Sequence, residues 1–533
     1  MRPPCDDGVT ESGHAGVLCT GTDAPWILAV TILGSSMAFI DSTVVNVALP
    51  ALQTSFAGTV VDIQWVIESY ALFLSALILA GGSMSDRFGR RRVFLIGVVI
   101  FAFASASCGL AVSIRQLVVA RAIQGTGAAL FVPASLSIIS ASFSEKERGR
   151  AIGTWSGFTA ITTAMGPILG GWLIEHASWR WVFFINIPIA AAVVALSLWR
   201  VPESKVESQG SIDWIGALIV TAGLAGVTYG FTESAKAQWS NASVWGPLIL
   251  GGACLIAFWY VEGRSPAPMV PLDLFRSRDF TGANVLTLFL YAALGIFFFL
   301  FPLNLIQVQR YSATATGAAA LPLILLMFFL SRWSGGLVAR YGAKRPLIIG
   351  PFIAAAGFII FALASVGGSY WTAFFPGFVV LGLGMALSVA PLTTVVMTAI
   401  DQDHAGTASG INNAVARVAG LLAIAILGIV MVGAFSHKMN QGLAQLHLPP
   451  DVKRSLQSNE IRLAALPVPP DLDPSTAATL RASIDRGFVF GFRLIMLICA
   501  GLAVASAAFA WQMITFDRQV VPGHYRSPHG HVT

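Results

Sequence analysis

Fourteen apolar runs, each long enough to cross a lipid bilayer, constrain this chain more than any other feature. A membrane-spanning helix needs about 20 consecutive apolar residues. The runs are continuous rather than alternating, which argues against a closed β-barrel. The sequence therefore predicts an all-α polytopic membrane protein with fourteen transmembrane helices. The runs lie at about 26–49, 64–83, 93–112, 117–139, 150–174, 181–199, 212–231, 244–261, 280–302, 317–338, 347–366, 372–395, 409–435 and 488–513.

The composition excludes several classes of soluble protein. Of 533 residues, 56% are hydrophobic and 11% are charged, and the mean hydropathy is +0.74. Soluble domains carry roughly 25% charged residues, so a secreted enzyme or a nucleic-acid binder is excluded. The five cysteines have neither zinc-site nor disulfide spacing, and the histidines do not cluster. No phosphate-binding glycine loop is followed by Lys and Ser or Thr, which argues against an ATP-driven pump. We expect neither a metal nor a cofactor.

The distribution of basic residues predicts the orientation in the membrane. With a cytoplasmic N-terminus, the short cytoplasmic segments carry 18 Lys and Arg and the short outer loops carry 4. The positive-inside rule therefore places both tails, 1–25 and 514–533, in the cytoplasm, in a bacterial plasma (inner) membrane. The long segment 436–486 would lie outside, either as a folded cap or as a mere tether.

An internal repeat divides the chain into two halves. The segment Gly82-Ser-Met-Ser-Asp-Arg-Phe-Gly-Arg-Arg-Arg92 recurs 253 residues later as Gly335-Gly-Leu-Val-Ala-Arg-Tyr-Gly-Ala-Lys-Arg345, and each copy joins two spans. A parallel repeat is typical of transporters whose halves rock around a central site. We predict six-helix halves at 26–200 and 279–513. The region 201–278 would then hold linkers and an inserted transmembrane hairpin at about 212–231 and 244–261.

The first copy of this repeat combines glycines, one acid and a cluster of arginines. Its glycines allow two helix ends to approach closely, Asp86 can pair with an arginine or cap a neighbouring helix, and the arginines face the anionic membrane surface. It resembles motif A of the major facilitator superfamily, which implies a cytoplasmic gate that locks the outward-facing state. The alternative is a topological anchor only. The predicted gate residues are Gly82, Asp86, Arg87, Gly89, Arg90 and Arg91.

Spans 4 and 5 carry two further resemblances. Leu117-Val-Val-Ala-Arg121-Ala-Ile-Gln-Gly-Thr-Gly127 resembles motif B of proton-driven members. A charge inside the membrane is costly, so Arg121 should face the bundle interior and have a partner. Span 5 resembles motif C, the antiporter signature, although Thr162 replaces one of its glycines. Ordinary close packing, unrelated to transport direction, is the alternative. The residues that match this antiporter motif are Gly157, Gly166, Pro167, Gly170 and Gly171.

Span 1 resembles the first span of fourteen-span drug:proton antiporters, in Ala38-Phe-Ile-Asp41-Ser-Thr-Val-Val-Asn-Val-Ala-Leu-Pro50. The segment Trp179-Arg-Trp-Val-Phe-Phe-Ile-Asn-Ile-Pro188 is similar to the same family. Asp41 is the expected proton-exchanging group, neutral when enclosed and ionised when water or a cation is present, and Arg121 would tune its surroundings. The alternative for Asp41 is a hydrogen bond to Asn46 or Thr43.

Two further acids, and the aromatic residues of span 9, were candidates for a cavity. Glu68, near the predicted outer mouth, and Glu233, at the outer end of span 7, could attract cations; each could equally be an ordinary interfacial residue. Span 9 is rich in aromatic side chains, among them Phe297 and Phe301. These could line a cavity for lipophilic ligands or face lipid.

The resemblance implies a secondary transporter rather than an enzyme. Its expected function is a proton-coupled exporter of lipophilic or cationic compounds, working by alternating access. A dedicated exporter of one metabolite or self-made antibiotic is the alternative, and a non-transporting membrane sensor is a more distant one. The expected partners are a small-molecule substrate, protons and the lipid bilayer, with no nucleic acid, and the expected state is a monomer.

Overall fold

Long apolar helices form most of the described part of the chain in the computed structural model. It describes residues 23–515 except 144, 205–212, 236–240, 267, 401–404, 445 and 447, so the predicted tails lie almost entirely outside the described residues, as does most of the linker after the sixth span. Within the described residues, fourteen helices are long and apolar enough to cross a membrane. The predicted fold class is confirmed: two six-helix halves and an inserted two-helix hairpin.

The bounds of the spanning helices follow the apolar runs and extend beyond most of them. They are α1 Ala24–Ser55, α2 Val60–Phe88, α3 Arg90–Gly109, α4 Ile114–Ser142, α5 Glu145–His176, α6 Trp181–Arg200, α7 Trp214–Ser234, α8 Ala242–Glu262, α9 Arg278–Leu303, α10 Ala313–Ala319 with Leu321–Tyr341, α11 Lys344–Ala362, α12 Tyr370–Thr398, α13 Ala405–Leu443 and α14 Pro474–Met513. With fourteen crossings, the start of α1 and the end of α14 lie on the same face. We call this face the terminal side and the opposite face the loop side.

The inserted hairpin, α7 and α8, packs on the outside of the seam between the halves. Helix α7 contacts α2 of the first half and α13 of the second. Leu72 and Ala76 of α2, Leu224 of α7 and Leu421 of α13 form one apolar cluster there. The hairpin therefore touches both halves at once.

Local sequence signals explain where several helices begin. Thr59 caps α2 because its hydroxyl accepts from the Asp62 backbone N–H while the Asp62 carboxylate accepts from the Thr59 N–H, a reciprocal capping box. The turns after α2 and α10 contain Gly89 at φ +106° and Gly342 at φ +74°. These are the matching glycines of the internal repeat, and glycine adopts positive φ without a steric penalty. Both copies of the repeat therefore turn at a glycine with positive φ.

The connection between α13 and α14 is shorter than the predicted segment 436–486, because both flanking helices continue beyond the apolar runs. Helix α13 runs to Leu443 and α14 begins at Pro474, after the N-cap Asp473. We call the residues between them, 444–473, the cap; it contains the α-helix Pro450–Ser458 and the 3₁₀ helix Glu460–Ala465. The Gln53 side chain of α1 donates to the Arg462 carbonyl at 3.1 Å. The described part of the cap is folded onto the bundle, so the tether alternative is wrong.

Candidate functional site

An ion pair enclosed in the first half forms the centre of the candidate site. Helices α1 and α4 bring Asp41 and Arg121 together, and the arginine Nη1 donates to the carboxylate Oδ2. Asp41 is 0% exposed and Arg121 is 1% exposed. Two charges can be enclosed in this way only when they balance each other and are fully hydrogen-bonded. The expectation that Arg121 faces the bundle interior and has a partner is confirmed.

Amide and aromatic side chains complete this cluster. Gln124 Nε2 donates to Asp41 Oδ1 at 2.9 Å, and Asn186 Nδ2 of α6 donates to the same oxygen at 3.3 Å. The Arg121 Nε donates to the Val66 carbonyl at 3.1 Å. The guanidinium carbon lies 4.2 Å from the centre of the Tyr70 ring, a cation–π distance. We call Asp41, Arg121, Gln124 and Asn186 the buried charge cluster.

The geometry of the cluster excludes the alternative partners considered for Asp41. Asn46 and Thr43 do not bond to it, because their side chains donate to backbone carbonyls of α1 itself. The carboxylate is instead held by partners from other helices, since Arg121 donates to one of its oxygens and Gln124 and Asn186 donate to the other. Asn186 belongs to a segment that the sequence singled out, but its role in the cluster was missed.

Glu68 lies inside the protein rather than at the outer mouth. It is 0% exposed, and the Thr232 hydroxyl of α7 donates to its Oε2 at 3.0 Å. Its Oε1 has no hydrogen-bond partner among the described residues. The rings of Trp65 of α2 and Tyr229 of α7 also pack against each other, with their centres 5.9 Å apart. Glu233, the residue after Thr232, is partly exposed at the end of α7.

The predicted gate residues lie in and around the turn between α2 and α3 on the terminal side, and side-chain contacts hold this turn in place. Arg90 Nε donates to Asp86 Oδ1 at 3.0 Å across the turn, so Asp86 pairs with an arginine as expected. The backbone N–H groups of Arg91 and Arg92 donate to the two carboxylate oxygens of Glu203, each at 3.1 Å.

The other gate residues lie around this turn. Arg87 lies over the Phe88 ring at 5.8 Å, and Gly82 faces Pro133 with room for a side chain. The Glu203 carboxylate also lies against Gly89, the glycine of the turn. No sequence pattern indicates Glu203, because it follows α6 and is more than a hundred residues away from the turn that it holds.

The antiporter motif lies where α5 meets α1 and the start of α10. A methyl group on Gly166 would collide with Thr43, and one on Gly170 would come within 2.8 Å of Val44. Gly171 packs against the backbone of Ala313, and Pro167 packs against Gly317. This part of the motif therefore forms a close seam between the two halves on the loop side.

Gly157 departs from that pattern. No atom lies within 4 Å of where its side chain would be, so the close packing expected for the whole motif is wrong at this position. Gly153, one turn earlier, is equally open. The face of α5 that carries Gly153 and Gly157 is thus open, whereas Pro167 and Gly171 pack closely against α10 towards the loop side.

Two of the aromatic side chains of span 9 face neither a cavity nor lipid. Phe297 and Phe301 are at most 2% exposed and pack against Phe361 and Phe378 of α11 and α12. They form the core of the second half, and both alternatives considered for them are wrong.

Comparison with known proteins agrees with this architecture. The family model described as Major Facilitator Superfamily matches residues 31–424. The chain is 34% identical over 506 residues to "Multidrug resistance protein Stp" of Mycobacterium tuberculosis, covering 92% of each chain. It is 31% identical to the "Tetracenomycin C resistance and export protein" of Streptomyces glaucescens, covering 97% of this chain and 95% of the relative.

Solved structures support the fold at lower sequence identity. An inward-facing bacterial homologue of the lysosomal transporter Spinster matches with a TM-score of 0.61 and 17% identity, over 92% of this chain and 99% of that one. An autoinhibited POT family peptide transporter matches with a TM-score of 0.63 and 15% identity, over 94% and 98%. The relatives and neighbours are transporters rather than enzymes. Since the family model spans most of the chain and relatives more than 30% identical cover nearly all of it, the chain belongs to the major facilitator superfamily of membrane transporters.

Proposed function

We propose that this protein is a proton-coupled exporter of lipophilic small molecules, with Asp41 and Arg121 as its coupling pair. The enclosed, fully donor-surrounded Asp41 carboxylate is the observation that carries the proposal. Ionisable groups inside membrane spans are expensive, and they mark proton relays and substrate pathways. A purely structural contact in this place could use neutral side chains at lower cost.

The cluster offers a simple way to link protonation to helix position. A proton on Asp41 cancels the charge that holds Arg121 between α1 and α4. Arg121 then keeps its bonds to Gln124 and the Val66 carbonyl, which belong to α4 and α2. Protonation therefore loosens α1 from α4 without leaving the guanidinium unbonded.

The antiporter seam supplies the element that moves. Close packing of α5 against α10 on the loop side, together with the open surface around Gly153 and Gly157, fits a state closed on the loop side. Export requires this seam to part and the terminal side to close, with the gate turn around Asp86 as the lock. The seam and the gate turn would then bias the same equilibrium between the two conformations, as alternating access requires.

The remaining features of the proposal concern location and assembly. The excess of basic residues in the terminal-side loops favours cytoplasmic termini in a bacterial plasma membrane. The loop side with its cap would then face outwards. Two complete halves and a central seam within one chain favour a working monomer.

A dedicated exporter of a single antibiotic is the second candidate. It is favoured by the printed name of one relative, the tetracenomycin C resistance and export protein, which covers nearly the whole chain. The multidrug name of another relative favours a broader substrate range. Efflux measured over a compound panel separates the two, because a dedicated exporter moves a single chemical class.

The test of coupling is transport into proteoliposomes driven by an imposed proton gradient. The wild-type protein should accumulate substrate against its gradient and lose this ability when an ionophore collapses the proton gradient. Asp41→Asn should abolish uphill transport and flatten its dependence on pH. Uphill transport by Asp41→Asn with the wild-type pH profile would refute the assignment and leave Glu68 or Glu233 as the next candidate.

A further inference from the structure

A cavity on the loop side has the size and lining of a ligand site. It has a volume of about 600 Å³ and lies between the halves, beneath the cap. Small-molecule sites occupy about 300–1,000 Å³ and are mostly apolar with a few polar groups. Val47 and Pro50 of α1, Ile174 of α5 and Ala465 of the cap supply an apolar wall. We call this cavity the vestibule.

Two arginines stand at one end of the vestibule and share a single acid. Arg310 Nη2 lies 3.4 Å from Asp485 Oδ2, and Arg481 Nη2 lies 3.1 Å from Asp485 Oδ1. The side chains of Arg310 and Arg481 are 53% and 27% exposed, whereas that of Asp485 is 11% exposed. The group thus has one excess positive charge, and its cations are more accessible than its acid.

Hydrogen bonding at this end of the vestibule is incomplete. Arg481 Nη2 donates to the Gln307 carbonyl at 2.9 Å, and Arg310 donates to the same oxygen. The Nε of Arg481 is buried without a hydrogen-bond partner among the described residues, and so are two acceptors, Gln307 Oε1 and Asp485 Oδ1. The guanidinium fork matches the geometry of a carboxylate, and one of its donors is unused.

The backbone holds this end in an unusual conformation. Arg310 has φ +62°, in the left-handed region that a side chain other than glycine rarely adopts, and it follows a π-helical turn at Asn304–Val308. Leu463, next to the cap residues that line the cavity, has φ +54°. Such conformations persist where the surrounding structure enforces them, and they cluster at ligand sites.

We propose that the vestibule binds an amphipathic organic anion, its acidic group on Arg310 and Arg481 and its apolar body against α1 and the cap. The assignment rests on the proposed export function, because the anion is the substrate on its way out. It narrows the substrate class to lipophilic compounds that carry a carboxylate or phenolate.

The charges deeper in the protein agree with an acidic substrate. Arg121 balances Asp41, and Glu68 is enclosed against α7. Arg417 of α13 has no ion-pair partner among the described residues. The path between the halves therefore offers an unbalanced cation and no accessible unbalanced acid among these four charged groups.

Binding of two matched probes to the purified protein in lipid nanodiscs, without any proton gradient, tests the proposal. The probes are dansylglycine, an amphipathic anion, and a dansylated quaternary ammonium of similar size, followed by fluorescence anisotropy. The vestibule variants are Arg310→Gln, Arg481→Gln and Ala465→Trp, the last of which fills the cavity while keeping both arginines. Arg454→Gln is the control, because Arg454 lies in the cap with an 80% exposed side chain.

We expect the wild-type protein to bind dansylglycine at least about tenfold more tightly than the cation, because each charge-assisted bond favours the anion. Each arginine variant should weaken that binding about tenfold or more, Ala465→Trp should abolish it, and Arg454→Gln should leave it unchanged. Equal binding of the two probes, no binding of either, or wild-type affinity in the vestibule variants that fold would overturn the proposal.

The same measurement separates this proposal from proton coupling. The wild-type protein and the vestibule variants all keep Asp41, which does not line the cavity, so differences in their binding report on the vestibule and not on the coupling pair. Loss of vestibule binding with Asp41-dependent transport intact would refute only the anion site. Retained binding with Asp41-independent transport would refute only the coupling assignment.

Discussion

Removing one partner of the Asp41–Arg121 pair should cost more stability than removing both. Each side chain is at most 1% exposed, so a charge left behind has no access to bulk water. Breaking a buried ion pair on one side costs about 3–5 kcal/mol. Asp41→Asn keeps the shape and one hydrogen-bonding oxygen, and Arg121→Gln keeps an amide donor. We therefore expect each single variant to lose about 3 kcal/mol of unfolding free energy.

The double variant Asp41→Asn/Arg121→Gln should recover much of this loss. It carries neither charge, and replacing a buried pair by uncharged groups is often nearly neutral for stability. The two losses should then be non-additive by about 2 kcal/mol or more, within the range found for residues in direct contact. Transport should stay absent, because the proton-binding carboxylate is gone.

Denaturant unfolding in mixed micelles measures the stabilities, and gradient-driven uptake into proteoliposomes measures transport. The exposed pair Asp273–Arg276 is a matched control, with side chains 80% and 86% exposed. Surface pairs contribute about 0–1 kcal/mol, so Asp273→Asn and Arg276→Gln should be nearly additive. Additive losses at Asp41 and Arg121 would refute the energetic coupling, and uphill transport by the double variant would refute the proton role.

Four further outcomes are expected. Asp86→Asn should impair transport at normal expression, and unchanged efflux would reduce the gate turn to an anchor. Gly171→Val should abolish transport because its side chain would hold the loop-side seam apart, whereas Gly157→Val, in open space, should transport normally; equal activity of the two would refute the seam. Hydroxyl and backbone donors hold the pKa of Asp473 below its ordinary value, so its cap on α14 should persist as the pH falls until that lowered pKa is reached. Amide exchange in the first turn of α14, corrected for intrinsic rates, should be unchanged between about pH 7 and pH 5 in the wild type and faster in Asp473→Ala at both; unaltered exchange in the variant would show that the cap contributes nothing. A reporter that is active only outside the cell should stay silent at the C-terminus, and a strong signal would overturn the topology.

The fold could be predicted from the sequence because the bilayer imposes it. Each span must be apolar over a fixed length and must satisfy its backbone internally, so hydropathy alone reports the number of helices. Helix ends were less predictable: α13 and α14 continue through residues of lower hydropathy, where Asp473 and Pro474 rather than the apolar run set the boundary. The cap and its attachment to Gln53 depend on contacts between distant parts of the chain.

The sequence could predict which residues belong to the candidate site, but not which of them contact each other. The cost of a charge in the membrane identified Asp41 and Arg121, yet nothing in the spacing of 80 residues reports that they meet. Glu68 was placed at the outer mouth because the docking of α7 onto α2 cannot be read from either helix. The vestibule was missed for the same reason, since its lining comes from five separate parts of the chain.

The two halves meet along two junctions, and the inserted hairpin covers only one of them from the surrounding lipid. On one flank, α7 covers the junction of α2 with α13 and buries Leu72 and Leu421. On the other flank, α5 presents Phe158 and Met165, which are 52% and 56% exposed. A compound dissolved in the bilayer therefore meets one sealed junction and one uncovered junction. We therefore expect a lipophilic compound that enters from the bilayer to do so beside α5, because the inserted hairpin covers the other junction between the halves.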